Sequence, residues 1–322
     1  MECRSCSPAL QRAITDFGAD DPFMGASAKL KEHYGIDIPG STVRAVTERH
    51  GEAMLARQES ENDLPNGKGV AVLITEMDGT MLPVVETAEP KAAETPIDGR
   101  KTRKLCWKEV RLCLAHAPGS VTPVFGATTG GVEEAGQRWQ QCAIAAGAGN
   151  QTKFHGLGDG ASWITDQIEL QFGTQAHYLI DFYHLCEYVS AAADVVAGNE
   201  KEVWMEEKKN WLKENRWQDV LKSLEPFLED SDIADKDAPV RACQRYIANR
   251  SNYLDYKAAL ADGLPIGSGE IESAHRYVFQ VRLKIAGAWW KMENLGKMVA
   301  LRVLRANRRW DHYWSATDLK AA

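Results

Sequence analysis

The stretch Phe154-His155-Gly156-Leu157-Gly158-Asp159-Gly160, followed by Tyr178-Leu179-Ile180-Asp181, decides how the chain is read. Each is a short apolar run that ends on an acid. Residues 161–172 between them have helical character, and Phe182-Tyr183-His184 opens a second helix. Strand, helix, strand, helix is the pattern of an α/β sheet. In such sheets ligands sit beyond the carboxyl ends of the strands, where Asp159 and Asp181 fall. Gly158 and Gly160 allow a sharp turn and a close backbone approach.

Upstream, Val70-Ala71-Val72-Leu73-Ile74 is a continuous apolar run, expected of a central strand buried on both faces. It leads into Glu76-Met77-Asp78-Gly79-Thr80. Met81 to Val85 reads as a hairpin partner, residues 88–103 as a polar loop, and alternating Val110, Leu112 and Leu114 as a third strand. A helix over 133–148 precedes the strand that ends at Asp159. The order strand, strand, strand, helix, strand, helix, strand, helix is that of the ribonuclease H-like fold. In this topology the first and fourth strands are neighbours, so Asp78 and Asp159 converge. Two close carboxylates repel, and a hard divalent cation relieves the repulsion.

The flanks divide the chain further. Residues 1–57 predict a small all-α helix-turn-helix unit. Leu10, Ile14 and Phe17 share a helix face, with Gly18 as its end. A second helix runs from about Ser27 to Tyr34 and stops at Gly35. Ser41 caps a third, with Val43 and Val46 inward and Arg44 and Arg49 outward. Residues 58–68 read as a linker. The core's first part spans 69–186, and 187–262 form a helical insertion whose Trp204, Trp211 and Trp217 read as packing residues. Residues 263–322 supply the last core helix and a basic C-terminal region. Over 276–309 nine Lys or Arg face a single acid, Glu293, with Trp289 and Trp290 interleaved. That suits a phosphate backbone, although the 322-residue chain has a net charge of −7. No run is long enough to span a bilayer and no signal peptide opens the chain. Seven scattered cysteines suit a reduced, cytoplasmic setting. Cys3 and Cys6 have the spacing of half a zinc site, but no second close pair follows, and they read as free thiols.

Asp78-Gly79-Thr80 and Gly158-Asp159-Gly160 are similar to motifs of haloacid-dehalogenase-type metal-dependent phosphatases. That family needs an Asp where this chain has Glu76, and an acid where it has Ala161, Ser162 and Trp163. A closer resemblance covers nearly the whole chain. Gly158-Asp159-Gly160-Ala161-Ser162-Trp163-Ile164, Asp181-Phe182-Tyr183-His184, and Leu264-Pro265-Ile266-Gly267-Ser268-Gly269 through Glu272-Ser273-Ala274 together resemble bacterial insertion-sequence transposases of the ISKra-four family. Relatives often carry a longer cysteine-containing amino-terminal region. The resemblance implies a DDE-type enzyme with Asp78, Asp159 and Glu272 as catalytic, metal-binding triad for two Mg2+ (or Mn2+) ions. It places Asp181, His184 and Ser268 as accessory residues. Its expected partner is double-stranded DNA, both element ends and target. The DNA contacts expected are Arg44, Arg49, Arg276, Arg282, Lys284, Arg305, Arg308 and Arg309. It further implies a cytoplasmic, nucleoid-associated protein, no membrane partner, and a homo-oligomer on paired ends. A transposase-derived DNA-binding protein without cleavage activity is the alternative within the same family.

Overall fold

The computed structural model describes residues 6–57, 64–87 and 103–318. Cys3, residues 58–63 of the expected linker and 88–102 of the expected loop lie outside them. Three helices come first: α1 (Pro8–Asp20), α2 (Phe23–Tyr34) and α3 (Gly40–Ala56). The Ser7 hydroxyl accepts the Leu10 N–H and caps α1, with Pro8 in its first turn. Gly35, at φ 66°, closes α2 in the left-handed conformation that favours glycine. Ile14, Leu30, Val43 and Val46 meet in the centre of this unit. Two expectations about its helix ends fail. Gly18 does not end α1; it lies where α3 crosses, and a side chain there would run into Thr47. Ser41 is not a cap, because α3 starts at Gly40 behind Pro39. Nor is Cys6 a free thiol, since it is disulfide-bonded.

The mixed α/β core follows as β1 (Val72–Thr87), β2 (Arg103–His116), β3 (Val124–Thr128), α4 (Val132–Ala145), β4 (Lys153–Gly158), α5 (Ser162–Phe172), β5 (Ala176–Ile180) and α6 (Phe182–Val196). The five strands lie in the order β3-β2-β1-β4-β5. β4 is parallel to β1 and β5, while β2 is antiparallel to β1 and β3. The first and fourth strands are therefore neighbours, as expected, but the first three strands are drawn differently. Met81 to Val85 does not fold back on Val70–Ile74. β1 continues through Gly79, because every residue from Ile74 to Thr87 has a partner on β2. Val110–Leu114 belongs to that partner, and the third strand is Val124–Thr128.

Leu73, Met77, Cys113, Phe154 and Tyr178 line one face of the sheet, under Trp139 of α4 and Ile164 and Ile168 of α5. The insertion adds α7 (Lys201–Lys213), α8 (Trp217–Leu224), α9 (Pro239–Asn249) and α10 (Tyr256–Ala261). Trp204, Trp211 and Trp217 pack against this same core. Leu112 and Leu114, on the other face, lie under the C-terminal segment: α11 (Gly269–Ala274), a π-helical turn His275–Gln280, α12 (Val281–Leu283), α13 (Met292–Ala306) and α14 (Trp310–Asp318).

That segment also fastens the amino-terminal unit. α3 packs along α13, so tightly at Gly51 that a side chain would meet the Lys297 backbone. The Arg282 guanidinium is buried, donates to the Gly18 carbonyl at 3.3 Å, and lies between the Phe23 and Trp290 rings. Arg302 holds the Tyr277 and Val278 carbonyls and pairs with Asp20. Arg305 pairs with Asp16 and Asp20.

Candidate acidic site at the strand ends

Strand register brings the acids together. Glu76 of β1 stands opposite Leu157 of β4, and Leu157 opposite Leu179 of β5. Side chains alternate along a strand, and opposed residues share a face. Two residues further along each strand come Asp78, Asp159 and Asp181. They form a row on the face that also carries Glu76: Asp159 and Asp181 just past the ends of β4 and β5, and Asp78 where β1 runs on beyond its pairing with β4.

The segment from Pro265 to His275 lies across this row. It touches the sheet through one polar group after another. His155 Nε2 meets the Pro265 carbonyl at 2.8 Å. The Phe182 N–H donates to the Ile266 carbonyl at 2.8 Å. Ser268 donates from its N–H (2.7 Å) and its hydroxyl (2.5 Å) to Asp181 Oδ2. The Ile271 N–H donates to Glu76 Oε2 at 2.8 Å. Glu270 reaches His116 Nε2 on β2 at 2.6 Å. His275 Nε2 lies 3.1 Å from Asp78 Oδ2, though off the line of a good hydrogen bond, and its Nδ1 is buried without a partner. The π-helical turn begins at His275, and such wide turns recur at functional sites.

Asp159 is held from the other side. Its Oδ1 accepts the Ala161 N–H at 2.8 Å, and its carbonyl accepts the Tyr246 hydroxyl at 2.6 Å. Gly160, at φ 79°, donates to the Tyr178 hydroxyl and accepts from Arg250 Nε at 2.9 Å. Tyr246 belongs to α9 and Arg250 directly follows it, so the helical insertion pins the Gly-Asp-Gly turn.

Asp181 is fully engaged. Besides Ser268 it accepts the Tyr183 and His184 N–H groups and caps α6. The accessory acid is thus the clamp that seats the C-terminal segment on β5. His184 turns elsewhere, towards Glu187 at 3.5 Å and the rings of Tyr188 and Tyr246. Glu76 is 1% exposed. Burial, reinforced by the charges of Glu270 and Asp181, pushes its carboxyl up to about 8, against the opposing pull of the Ile271 N–H.

Glu272 and Glu270 leave α11 on different sides. Glu272 pairs with Arg276 at 2.8 Å, and both side chains are well exposed. A helix turns about 100° per residue, so viewed down its axis Glu272 stands about 60° from His275, and Glu270 about 140° from it on the other side. Glu270 leans to β2, where His116 is. Glu272 leaves the helix on the other side, where its carboxylate pairs with Arg276. Among the described residues no three His, Cys, Asp or Glu side chains stand ready to hold a metal.

Of the basic residues, Arg44, Arg308 and Arg309 are exposed, and Arg49 is exposed while donating to Gln11. Lys284 lies 5.8 Å from the Trp107 ring. Two expected DNA contacts need correction: Arg282 is buried at 2% exposure and Arg305 is spent on Asp16 and Asp20, so neither guanidinium is turned to a phosphate. Burial and the nearby Arg302 charge lower Arg282 to about 10.

Sequence reasoning weighed Glu270 against Glu272 as a third acid but missed Glu76, His116, His275, Tyr246 and Arg250. Parity with Asp78 on one strand marks Glu76. His116 comes from β2 and the others from helical segments far along the chain, and nothing local announces them.

Asp78, at 39% exposure, and Asp159 are half-buried, while Asp181 and Glu76 are buried. A cavity of about 660 Å³ lies elsewhere, between β3, α4, α13 and α14, and includes none of them. The molecule is thus a mixed α/β protein with a partly exposed row of acids where its three parallel strands stop pairing. Residues 149–312, just over half of the chain, match the model of an uncharacterised protein family, UPF0236, and the chain belongs to that family. No curated protein matches it. Among the described residues no helix is long and apolar enough to cross a membrane.

Proposed function

We propose that this chain is a DDE-type transposase with a ribonuclease H-like core, which cleaves and joins strands of double-stranded DNA. The observation that carries the reading is the register that sets Asp78 beside Asp159 on neighbouring parallel strands. The strand order and the mixed sheet support the core assignment. Asp78 and Asp159 are half-exposed and line neither of the cavities, which favours a polymer over a small phosphate ester that a phosphatase would enclose in a pocket.

The donor set fits a divalent cation in part. Asp78 and Asp159 offer hard carboxylate oxygens, while Glu272 is paired with the exposed Arg276 and would have to turn to join them. Such exposed pairs are worth about 0–1 kcal/mol, so a change of side-chain rotamer is enough to free it. These three residues would hold Mg2+ or Mn2+, which when bound activates a nucleophilic oxygen and stabilises charge at the phosphate. The protein's own part is positioning. His275 stands 3.1 Å from Asp78, Tyr246 and Arg250 hold the Asp159 turn, and Ser268 with Asp181 seats α11 on β5. The exposed Arg44 and Arg49 of α3 serve recognition in a groove, and Arg308 and Arg309 serve phosphates.

The test is incubation of the purified chain with DNA of the flanking inverted repeats and Mg2+. Metal-dependent nicking is expected, abolished by Asp78→Asn or Asp159→Asn while DNA binding persists. Nicking by both variants at near wild-type rate would overturn the assignment. Binding with no nicking by the wild type would support a non-cleaving relative.

A further inference from the structure

Beyond Thr80 the two long strands leave the rest of the sheet: β1 pairs with β4 only up to Glu76, and β2 with β3 only from Arg111. Residues 81–87 and 103–109 therefore form a projecting two-stranded ribbon. Residues 284–291 run along its β1 edge, with the Trp290 N–H donating to the Pro83 carbonyl and the Val85 N–H to the Trp290 carbonyl. This parallel bridge puts Trp290 on the same face as Val84, and both are buried, Trp290 against Phe23. Alternation turns the preceding residue, Trp289, to the opposite face. Pro83 is on that face too, with Trp107 directly across from it on β2. Trp107 and Trp289 thus flank a proline in one row, two strand spacings or roughly 10 Å apart. They are 52% and 53% exposed, and Leu105 and Met81 beside them are exposed as well.

We infer that this row is a stacking platform for unpaired nucleotide bases, a single-stranded DNA site separate from the acids. Exposed indoles offer flat faces to any base, and cations alongside hold the backbone. Lys284 lies over the Trp107 ring, and Arg103, exposed, is on the same face of the ribbon as Trp107. Two of the neighbouring acids are already paired, Glu109 with Arg111 and Glu293 with Lys291. A duplex keeps its bases stacked inside, so the platform selects unpaired strand. Pro83 is five residues along β1 from Asp78, about 17 Å, and faces the other way. The platform therefore holds a flank of the substrate, not the phosphate at which the acids act. This deepens the transposase reading and rests on it for the choice of DNA as the polymer.

The experiment is fluorescence anisotropy of labelled oligothymidylate, and of a labelled duplex, with the full chain in EDTA. Trp107→Ala and Trp289→Ala should each weaken oligothymidylate binding about tenfold and leave duplex binding unchanged. Trp107→Phe and Trp289→Phe should restore most of it, since a phenyl ring still stacks. Unchanged affinity in both alanine variants, or no oligothymidylate binding by the wild type, would overturn the site. So would a shift of sedimentation coefficient in the alanine variants without a change in affinity, because the face would then join two copies of the chain. The assay needs no metal and no cleavage, so its failure is distinct from failure to nick.

Discussion

Glu76→Gln tests whether a neutral carboxyl is built into the sheet. In the native state Glu76 is buried, accepts one backbone N–H, and keeps its proton up to about pH 8. In the unfolded chain it ionises near 4.5. Below 4.5 both states are protonated and the group contributes no pH dependence. Between 4.5 and about 8 the unfolded chain has lost the proton and the native chain has not, so stability falls as pH rises. Each pH unit in that window costs the native state about 1.4 kcal/mol. Across the window this comes to several kcal/mol, and above pH 8 the whole penalty is present. A glutamine keeps the carbonyl oxygen that faces the Ile271 N–H and cannot ionise. Urea denaturation from pH 4 to 9, followed by tryptophan fluorescence in EDTA, is the assay. The wild type should lose stability steadily between pH 5 and 8 relative to Glu76→Gln, and the variant should be the more stable protein at pH 9 by about 2–4 kcal/mol. Parallel profiles for the two proteins, or a wild type that gains on the variant as pH rises, would refute the reasoning.

Three further predictions concern the rest of the molecule. Glu272→Gln is expected to abolish metal-dependent nicking and Glu270→Gln to cost little, because Glu272 is the proposed third ligand while Glu270 lies against His116; the opposite order in a nicking assay would move the third ligand to Glu270. Arg302→Ala should destabilise the chain by about 3 kcal/mol in chemical denaturation, since it strips partners from Asp20 and two carbonyls at once; a change under 1 kcal/mol would show that helix packing alone holds the amino-terminal unit. In anisotropy titrations, Arg44→Ala with Arg49→Ala should reduce discrimination between terminal and random DNA, whereas Arg308→Ala with Arg309→Ala should weaken both alike and flatten the salt dependence. Equal loss of discrimination from both pairs would contradict this division.

Much of the core could be read from the sequence because its signals are local. The strands ending at Asp159 and Asp181 are apolar runs closed by glycine or an acid, and the helices after them follow at once. β3 gave no such signal: Val124 to Thr128 is short, carries a glycine in the middle, and is held by pairing with β2 and by Asn307, which bonds both the N–H and the carbonyl of Phe125. Gly79 looked like a turn, but a long antiparallel partner keeps it in the strand. Charge misled for a different reason. The run of arginines after residue 276 reads as a solvent-facing surface, yet Arg282 and Arg302 point inward to carbonyls at the end of α1, and only a tertiary contact can reveal that. The site was half legible. Strand-end acids follow from topology, whereas the contacts of Glu270, His275, Tyr246 and Arg250 depend on segments folded back from 87 or more residues away.

The clamp formed by Arg282, Arg302 and Arg305 has a consequence for how the protein would measure its substrate. Because α1 is bolted to the C-terminal helices and α3 lies flush against α13, the three-helix unit cannot swing on its linker as a tethered module would. α3 and the acidic row thus keep a constant separation. On the proposed function, DNA gripped by α3 would be presented to Asp78 and Asp159 at one distance along its axis, and the molecule would act as a ruler whose length is set by α13. Lengthening the segment at 58–63 would leave the cut where it was, whereas inserting a turn into α13 would shift it.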